Sequence, residues 1–108
     1  VAGDIFDFCR AGAGLLAYGG DFYCVYRPDR LVDLLLAMRQ AGIEPKLLLT
    51  VCESPRHSPN MVLVKGKRGG SGGMHLPPVF FISQGDQKSE AYLYVMETGE
   101  FPQKFLRP

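Results

Sequence analysis

The residues of this 108-residue chain that could bind a metal or act in catalysis include two histidines and three cysteines. Cys9, Cys24 and Cys52 are widely spaced and form no Cys-x-x-Cys pair, so they do not indicate a zinc or dithiol site. His57 lies in a proline-bracketed loop and His75 precedes Leu-Pro-Pro. Neither has a second metal ligand at suitable spacing, or a nucleophile and an acid nearby. We therefore predict two surface histidines, no metal site and no catalytic residue.

The cysteines also bear on the compartment. Their number is odd and each has apolar neighbours, which favours buried, reduced thiols and a cytoplasmic protein. The longest apolar runs, such as residues 47–49 and 79–82, are far shorter than a helix that spans a bilayer. We therefore expect no association with a membrane.

Six basic side chains are candidates for contact with RNA phosphates: Arg27, Arg30, Arg56, Lys65, Lys67 and Arg68. The net charge is only +1, but residues 44–70 contain five Lys or Arg against two Glu. This excess indicates either an RNA-contacting surface or an ordinary solvated face. For Arg27 and Arg30 the structural alternative is an ion pair with Asp29 or Asp33.

Two helices and one strand are predicted in the first 42 residues. Residues 4–18 have helical spacing, with Asp4 as the N-cap and Gly19-Gly20 as the stop, and an apolar face of Ile5, Phe8, Cys9, Leu15 and Leu16. Asp21–Tyr26 has no charge after its first residue, which is typical of a strand buried on both faces. Pro28 opens a second helix of period 3.6 that ends at Gly42, with its apolar face formed by Leu31, Leu34, Leu35, Met38 and Ala41.

The rest of the chain predicts a hairpin and a less regular end. Residues 46–53 and 61–67 read as antiparallel strands, and RGGSGG at 68–73 reads as a linker, since it lacks the ending of a phosphate loop. Residues 75–83 predict a short edge strand, whereas AYLYVMETGEF is ambiguous between strand and helix. We divide the chain into an α/β part, residues 1–83, and an irregular C-terminal extension, residues 84–108.

This α-β-α-β-β order, with its motifs, resembles the C-terminal half of class I S-adenosylmethionine-dependent methyltransferases. In that family the final helix precedes a hairpin whose last strand inserts antiparallel into a parallel sheet. LAYGGDFYCVYRPDRLVDLL resembles the family's turn, fifth strand and fifth helix. A narrower resemblance, to the tRNA (adenine-N6) methyltransferases that act on a valine tRNA, rests on three segments: YRPDRLVDLLLAMRQAGIEPK, PNMVLVKGKRGG and LPPVFF. The resemblance covers about residues 4–82.

The resemblance implies an incomplete Rossmann-like α/β domain from a longer parent. That parent would use S-adenosylmethionine to methylate the N6 amine of an adenine in tRNA. The family's glycine-rich loop, its acidic residue after the second strand and its N-P-P-Y-type motif do not occur in the sequence. No catalytic or cofactor-binding residue is therefore carried over, and we expect the chain alone to bind no cofactor and to be inactive. The first residue is Val1, before which we expect the missing strands.

Two alternatives remain at this point. The chain could be a non-catalytic binding module that forms a homodimer through an exposed sheet edge. It could also belong to a class I methyltransferase with another substrate, because the motif that selects the target is not present.

Overall fold

A four-stranded mixed sheet forms the centre of the computed structural model, which describes residues 4–107. Its spatial order is β1-β3-β2-β4, with β3 antiparallel to both neighbours and β4 parallel to β2. β1 and β2 are therefore parallel, with the antiparallel β3 between them. The elements in chain order are α1 (Ile5–Leu15), β1 (Asp21–Tyr26), α2 (Leu31–Gln40), β2 (Ile43–Cys52), β3 (Pro59–Arg68), β4 (Phe80–Phe81), β5 (Ser83–Gln84), β6 (Gln87–Lys88) and α3 (Glu90–Thr98).

Helix α1 begins as predicted, but its buried face differs from the prediction. Asp4 Oδ1 accepts a hydrogen bond from the Asp7 backbone N–H at 3.0 Å, which caps the helix. Phe8 and Leu15 were expected to be buried and are 54% and 88% exposed. The helix instead packs through small residues: a Cβ at Gly12 would lie 2.7 Å from the Phe22 ring. Small side chains allow this close approach. Ile5, Phe6 and Leu16 pack beside them, half-buried against the same core.

The end of α1 also lies earlier than the double glycine suggested. The helix stops at Leu15, and Gly19 adopts φ +83° in the turn that leads into β1. Glycine tolerates this left-handed conformation at little cost. The glycine pair therefore shapes the turn and does not end the helix itself.

The prediction that β1 is buried on both faces is wrong. Phe22 and Cys24 are buried beneath α1, whereas Tyr23 and Val25 are 58% and 61% exposed on the opposite face. On that face the C-terminal segment packs against β2, β3 and β4. Burial of an apolar strand depends on what packs against it. Within residues 4–107 no helix covers Tyr23 and Val25, although the Lys65 ammonium lies 5.9 Å from the centroid of the Tyr23 ring.

Helix α2 and the hairpin agree with the predicted pattern. A single 3₁₀ turn, Pro28–Arg30, precedes α2, which buries Leu34 and Met38. Gly42, at φ +80°, follows the helix as expected for a C-terminal glycine. Strands β2 and β3 pair antiparallel from Ile43 to Cys52 and from Pro59 to Arg68. β2 begins three residues earlier than predicted and ends one residue earlier, whereas β3 is two residues longer at its start and one residue longer at its end.

The segment predicted as an irregular extension contains helix α3 and a 3₁₀ turn, Gln103–Phe105. It packs on the second face of the sheet, where Phe80 makes edge-to-face contacts with Phe101 and Phe105 at ring distances of 5.3 and 5.2 Å. The ambiguous apolar run is therefore helical. Across the described residues, no helix is long and apolar enough to cross a membrane.

Candidate functional site

The carboxyl ends of the three parallel strands lie on the same side of the sheet, where the strands end. β1 ends before Arg27, β2 before Glu53 and β4 before Ile82. In α/β sheets this is the edge at which ligands bind. An open cleft of about 520 Å³ lies here between the β2–β3 loop and the β5–β6 hairpin, lined by Glu53, Ser54, Pro55, Arg56, His57, Ser83, Gly85 and Asp86.

A serine and a histidine that the sequence analysis did not connect are hydrogen-bonded in this loop. Ser54 Oγ lies 2.7 Å from His57 Nδ1 and also accepts a hydrogen bond from the Arg56 backbone N–H at 3.3 Å. The His57 backbone N–H donates to Ser54 O at 3.0 Å, which closes the turn. If the Ser54 hydroxyl donates to Nδ1, the neutral imidazole carries its hydrogen on Nε2. The exposed ring then offers an N–H donor beside Arg56.

The acidic side of the cleft is tied into the fold. Glu53 Oε2 accepts a hydrogen bond from Ser83 Oγ at 2.9 Å, and Glu53 O accepts one from the Ser83 backbone N–H at 2.7 Å. This contact joins the end of β2 to the segment that leaves β4. In contrast, Arg56 forms no ion pair within the described part of the chain. Its guanidinium is the uncommitted cation of the cleft.

The structure divides the six predicted RNA-contacting residues between the two ends of the sheet. Arg27, Arg30 and Arg56 follow the carboxyl ends of β1 and β2. Lys65, Lys67 and Arg68 occupy the last part of β3, which runs in the opposite direction. A ten-residue strand is about 30 Å long. The two groups therefore do not form one continuous basic surface.

The two arginines after β1 form the ion pairs that were the structural alternative. Arg27 Nη2 lies 2.8 Å from Asp29 Oδ2, and Arg30 Nη2 lies 2.6 Å from Asp33 Oδ2. The arginine side chains are 73% and 57% exposed. Exposed pairs of this kind contribute little to stability, so a phosphate can compete for either guanidinium.

The basic residues at the far end of β3 are bound within the fold. Lys67 Nζ donates to Asp21 Oδ1 at 3.0 Å and to Gly19 O at 3.1 Å, and Lys65 Nζ lies 3.9 Å from Asp21 Oδ2. Arg68 donates to the carbonyl oxygen of Leu16. These contacts hold the turn before β1 against the hairpin, which is a structural role.

The second histidine lies away from the cleft. The His75 backbone N–H donates to Lys46 O at 2.9 Å, and His75 O accepts from the Leu48 N–H at 3.1 Å. These bonds attach the chain to β2 as an isolated bridge. His75 is half-buried, and its Nε2 is buried without a hydrogen-bond partner among the described residues, so it is less exposed than the expected surface histidine.

The glycine-rich segment at 68–73 presents carbonyl oxygens where a phosphate loop would present backbone N–H groups. Lys46 Nζ donates to the carbonyl oxygens of Ser71 and Gly72 at 2.8 and 3.3 Å. A phosphate site instead requires backbone N–H groups that converge on the anion. The segment also follows the end of β3, which lies beside the start of β2 and therefore at the end of the sheet opposite the cleft. Its interpretation as a connecting segment agrees with this geometry.

No protein-family model and no curated protein matches the chain. Among solved structures, it is similar to a predicted O-methyltransferase, the protein Atu636 from Agrobacterium tumefaciens. The TM-score is 0.78 over 92% of the present chain, at 13% sequence identity. The chain has a methyltransferase-like α/β fold. It spans about half of that protein, since the match covers 48% of the other chain.

This likeness confirms the methyltransferase-like fold and leaves the narrower assignment to tRNA adenine-N6 methyltransferases as a prediction. S-adenosylmethionine, which the sequence resemblance implies as the methyl donor of the parent, is likewise a prediction. The described residues do not fit a site for it: β1, β2 and β4 lead into Arg27-Pro28, Glu53-Ser54 and Ile82-Ser83, without a glycine-rich loop. The glycine-rich segment at 68–73 lies at the opposite ends of these strands and directs carbonyl oxygens at Lys46.

Proposed function

We propose that this chain forms the substrate-binding part of an S-adenosylmethionine-dependent methyltransferase whose acceptor is the N6 amine of an adenine in tRNA. The observation that carries the proposal is a methyltransferase-like fold with an uncommitted arginine, Arg56, in a cleft at its carboxyl edge. The motifs that resemble tRNA (adenine-N6) methyltransferases support the choice of acceptor.

In this proposal the chain binds and orients RNA, and the methyl donor is held by structure other than the described residues. Arg56 and the Nε2–H of His57 contact a backbone phosphate. Arg27 and Arg30, which lie at the same edge, exchange their exposed carboxylate partners for further phosphates. Proteins read RNA largely through its shape and backbone, and a base that undergoes chemistry leaves its stack. The chain alone therefore binds RNA weakly and transfers no methyl group.

The binding test uses a fluorescent tRNA that lacks the modification, with the affinity measured by anisotropy as a function of salt. We expect Arg56→Ala to weaken binding about fivefold and to lower the salt slope by about one phosphate contact. Lys67→Ala is the control, because Lys67 lies at the opposite end of β3, and an unchanged thermal midpoint shows that the loss of its contacts with Gly19 and Asp21 leaves the fold intact. An equal or larger loss for Lys67→Ala contradicts the proposed site.

The chemical test is a methylation assay on the same tRNA with the longest natural form of the protein. Analysis of the digested nucleosides should give N6-methyladenosine. Because the similar structure is described as a predicted O-methyltransferase, a hydroxyl acceptor is the second candidate. A 2′-O-methyl nucleoside in place of N6-methyladenosine would favour it, and an RNA without label would defeat both acceptors.

A further inference from the structure

We infer that an open cavity at the amino end of β2 binds a small molecule that carries both a phosphate group and an apolar body. The cavity has a volume of about 490 Å³, which lies in the range of small-molecule sites. Its lining includes three polar side chains and three apolar ones, namely Lys46, Lys65, His75, Leu47, Met74 and Leu106. The cavity is separate from the cleft that contains Arg56, and the inference stands whichever acceptor is methylated.

A β-bulge gives Lys46 its place at this cavity. Pro45 pairs with Gly66 and Leu47 pairs with Lys65, so Lys46 is an extra residue of β2 without a partner in β3. A bulge bends its strand and re-aims a side chain, and bulges are common beside functional sites. At this bulge Lys46 and Lys65 line the same cavity.

The two ammonium groups are not neutralised by carboxylates. Lys46 Nζ donates to two backbone carbonyl oxygens at 2.8 and 3.3 Å and forms no ion pair within residues 4–107. Lys65 Nζ lies 3.9 Å from Asp21 Oδ2, which is beyond hydrogen-bond distance. The nearby Glu44 carboxylate is held by Arg39, and no acidic side chain of the described residues lines the cavity. Two positive charges in one cavity favour a phosphate dianion, which lysine commonly binds.

The wall of the cavity also contributes an unpaired polar atom. His75 lines the cavity, and its Nε2 is buried without a hydrogen-bond partner among the described residues. Such atoms are rare in native proteins, and a bound ion is one reason for them. An Nε2–H donates to a phosphate oxygen, whereas an unprotonated Nε2 accepts from a phosphate hydroxyl. A turn of the imidazole toward the ligand therefore gives this atom a partner in either tautomer.

The remaining walls select an organic phosphate over the bare ion. Leu47 is 5% exposed, whereas Met74 and Leu106 are 39% and 38% exposed. An inorganic phosphate keeps its hydration and gains nothing from these side chains. A ligand with an apolar body removes their surface from water, which favours binding.

The cavity does not suit an RNA backbone. A polynucleotide binds along a groove of continuous positive charge. The basic residues that follow Lys65 along β3 are engaged, because Lys67 donates to Asp21 and Arg68 donates to the carbonyl oxygen of Leu16. The available positive charge is therefore confined to the cavity, which fits one small ligand.

The test is a titration of the isotope-labelled 108-residue chain with phenyl phosphate, followed by nuclear magnetic resonance. We expect the signals of Leu47, Met74 and the His75 ring to shift together with a single dissociation constant. Phenyl phosphate should bind about tenfold more tightly than inorganic phosphate, because its ring buries apolar surface. Phenol should also bind more weakly than phenyl phosphate, because it lacks the charge.

Lys46→Met and Lys65→Met test the two charges, since methionine keeps an aliphatic stem and removes the ammonium group. Each should weaken phenyl phosphate binding about tenfold, the effect of one hydrogen bond to a charged group. Lys65→Met should leave the fold intact, because Lys65 Nζ makes only long contacts, 3.9 Å to Asp21 Oδ2 and 5.9 Å to the Tyr23 ring centroid. Lys88→Met is the matched control, because Lys88 lies on β6 and does not line the cavity. An unchanged thermal midpoint shows that each variant folds.

Four results would overturn the inference. The first is the absence of shifts at Leu47 and His75, and the second is an equal loss of affinity in Lys65→Met and Lys88→Met. The third is equal affinity for inorganic phosphate and phenyl phosphate, which would leave the apolar walls without a role. The fourth is displacement of phenyl phosphate by tRNA, which would make an RNA backbone the occupant. Arg56→Ala should not change phenyl phosphate binding, so the cavity and the RNA site fail independently.

Discussion

The Arg39 guanidinium donates two hydrogen bonds to the Glu44 carboxylate, with Nε 3.1 Å from Oε1 and Nη2 2.5 Å from Oε2. Arg39 lies in the last turn of α2 and Glu44 near the start of β2, so the pair spans the turn at Gly42. The Glu44 side chain is 14% exposed, although Arg39 is 70% exposed. The hydrogen bond from Arg39 holds the pKa of Glu44 below its ordinary value of 4.5, with help from the charges of Arg39 and Lys46.

This pair predicts a loss of stability in acid. A carboxylate whose folded pKa is depressed stabilises the native state above its unfolded pKa, and this contribution is lost as the pH falls through the folded pKa. Arg39→Met should therefore lower the free energy of unfolding more at pH 7 than at pH 3, as measured by urea denaturation. In the Glu44→Gln background the same substitution should have little pH dependence. An equal cost at both pH values in the wild-type background would contradict the prediction.

Gly66 is predicted to be intolerant of alanine. A Cβ there would lie 2.4 Å from Met38 Cε and 2.5 Å from Ile43 Cγ2, so alanine would overpack the contact between α2 and the hairpin. Gly66→Ala should destabilise the protein by about 1–3 kcal/mol in chemical denaturation. Gly14→Ala is the control, because nothing lies within 4 Å of a Cβ there and alanine in a helix gains about 1 kcal/mol. A Gly66→Ala variant as stable as the wild type would show that Met38 simply moves aside.

Ser89 is predicted to hold α3 on the sheet. Its buried hydroxyl donates to Phe81 O and accepts the Tyr92 N–H at 3.0 Å, so it caps α3 and joins it to β4. Ser89→Ala should cost about 1 kcal/mol of unfolding free energy, within the range known for N-caps. Thr98→Ala, at the exposed other end of α3, should change stability by less than about 0.5 kcal/mol. Similar losses for both variants would place the α3 anchor elsewhere.

The thiol of Cys9 is predicted to be unreactive in the folded protein. Burial, followed by the proximity of Cys24, raises the pKa of Cys9 to about 11. At pH 8 about one such thiol in a thousand is ionised, and the thiolate is the reactive species. A disulfide exchange reagent should modify Cys9 only after denaturation, as read by peptide mass spectrometry. Ser58→Cys, in the exposed β2–β3 loop, supplies the control, and labelling of native Cys9 at the Ser58→Cys rate would refute the prediction.

The sequence by itself determined the elements whose signals are local. Helix α2 follows from the 3.6-residue period of its leucines between Pro28 and Gly42, and the β2–β3 hairpin follows from two β-rich runs around a proline loop. The methyltransferase-like fold was also predictable, because the α-β-α-β-β order of the elements and the motifs that resemble the family can both be read directly from the sequence. Hydrogen bonds and turn geometry at these places join residues that are close in sequence.

Tertiary structure alone decided which faces are buried and which residues meet at the cleft. The pattern of β1 predicted burial on both faces, but Tyr23 and Val25 are exposed because no helix in residues 4–107 packs on them. Glu53 and Ser83 are 30 residues apart and touch because β4 lies parallel to β2. The six basic residues separate because β3 runs antiparallel to β1 and β2. Sequence spacing fixes the local conformation, whereas burial and convergence depend on the neighbour that each strand acquires when the sheet assembles.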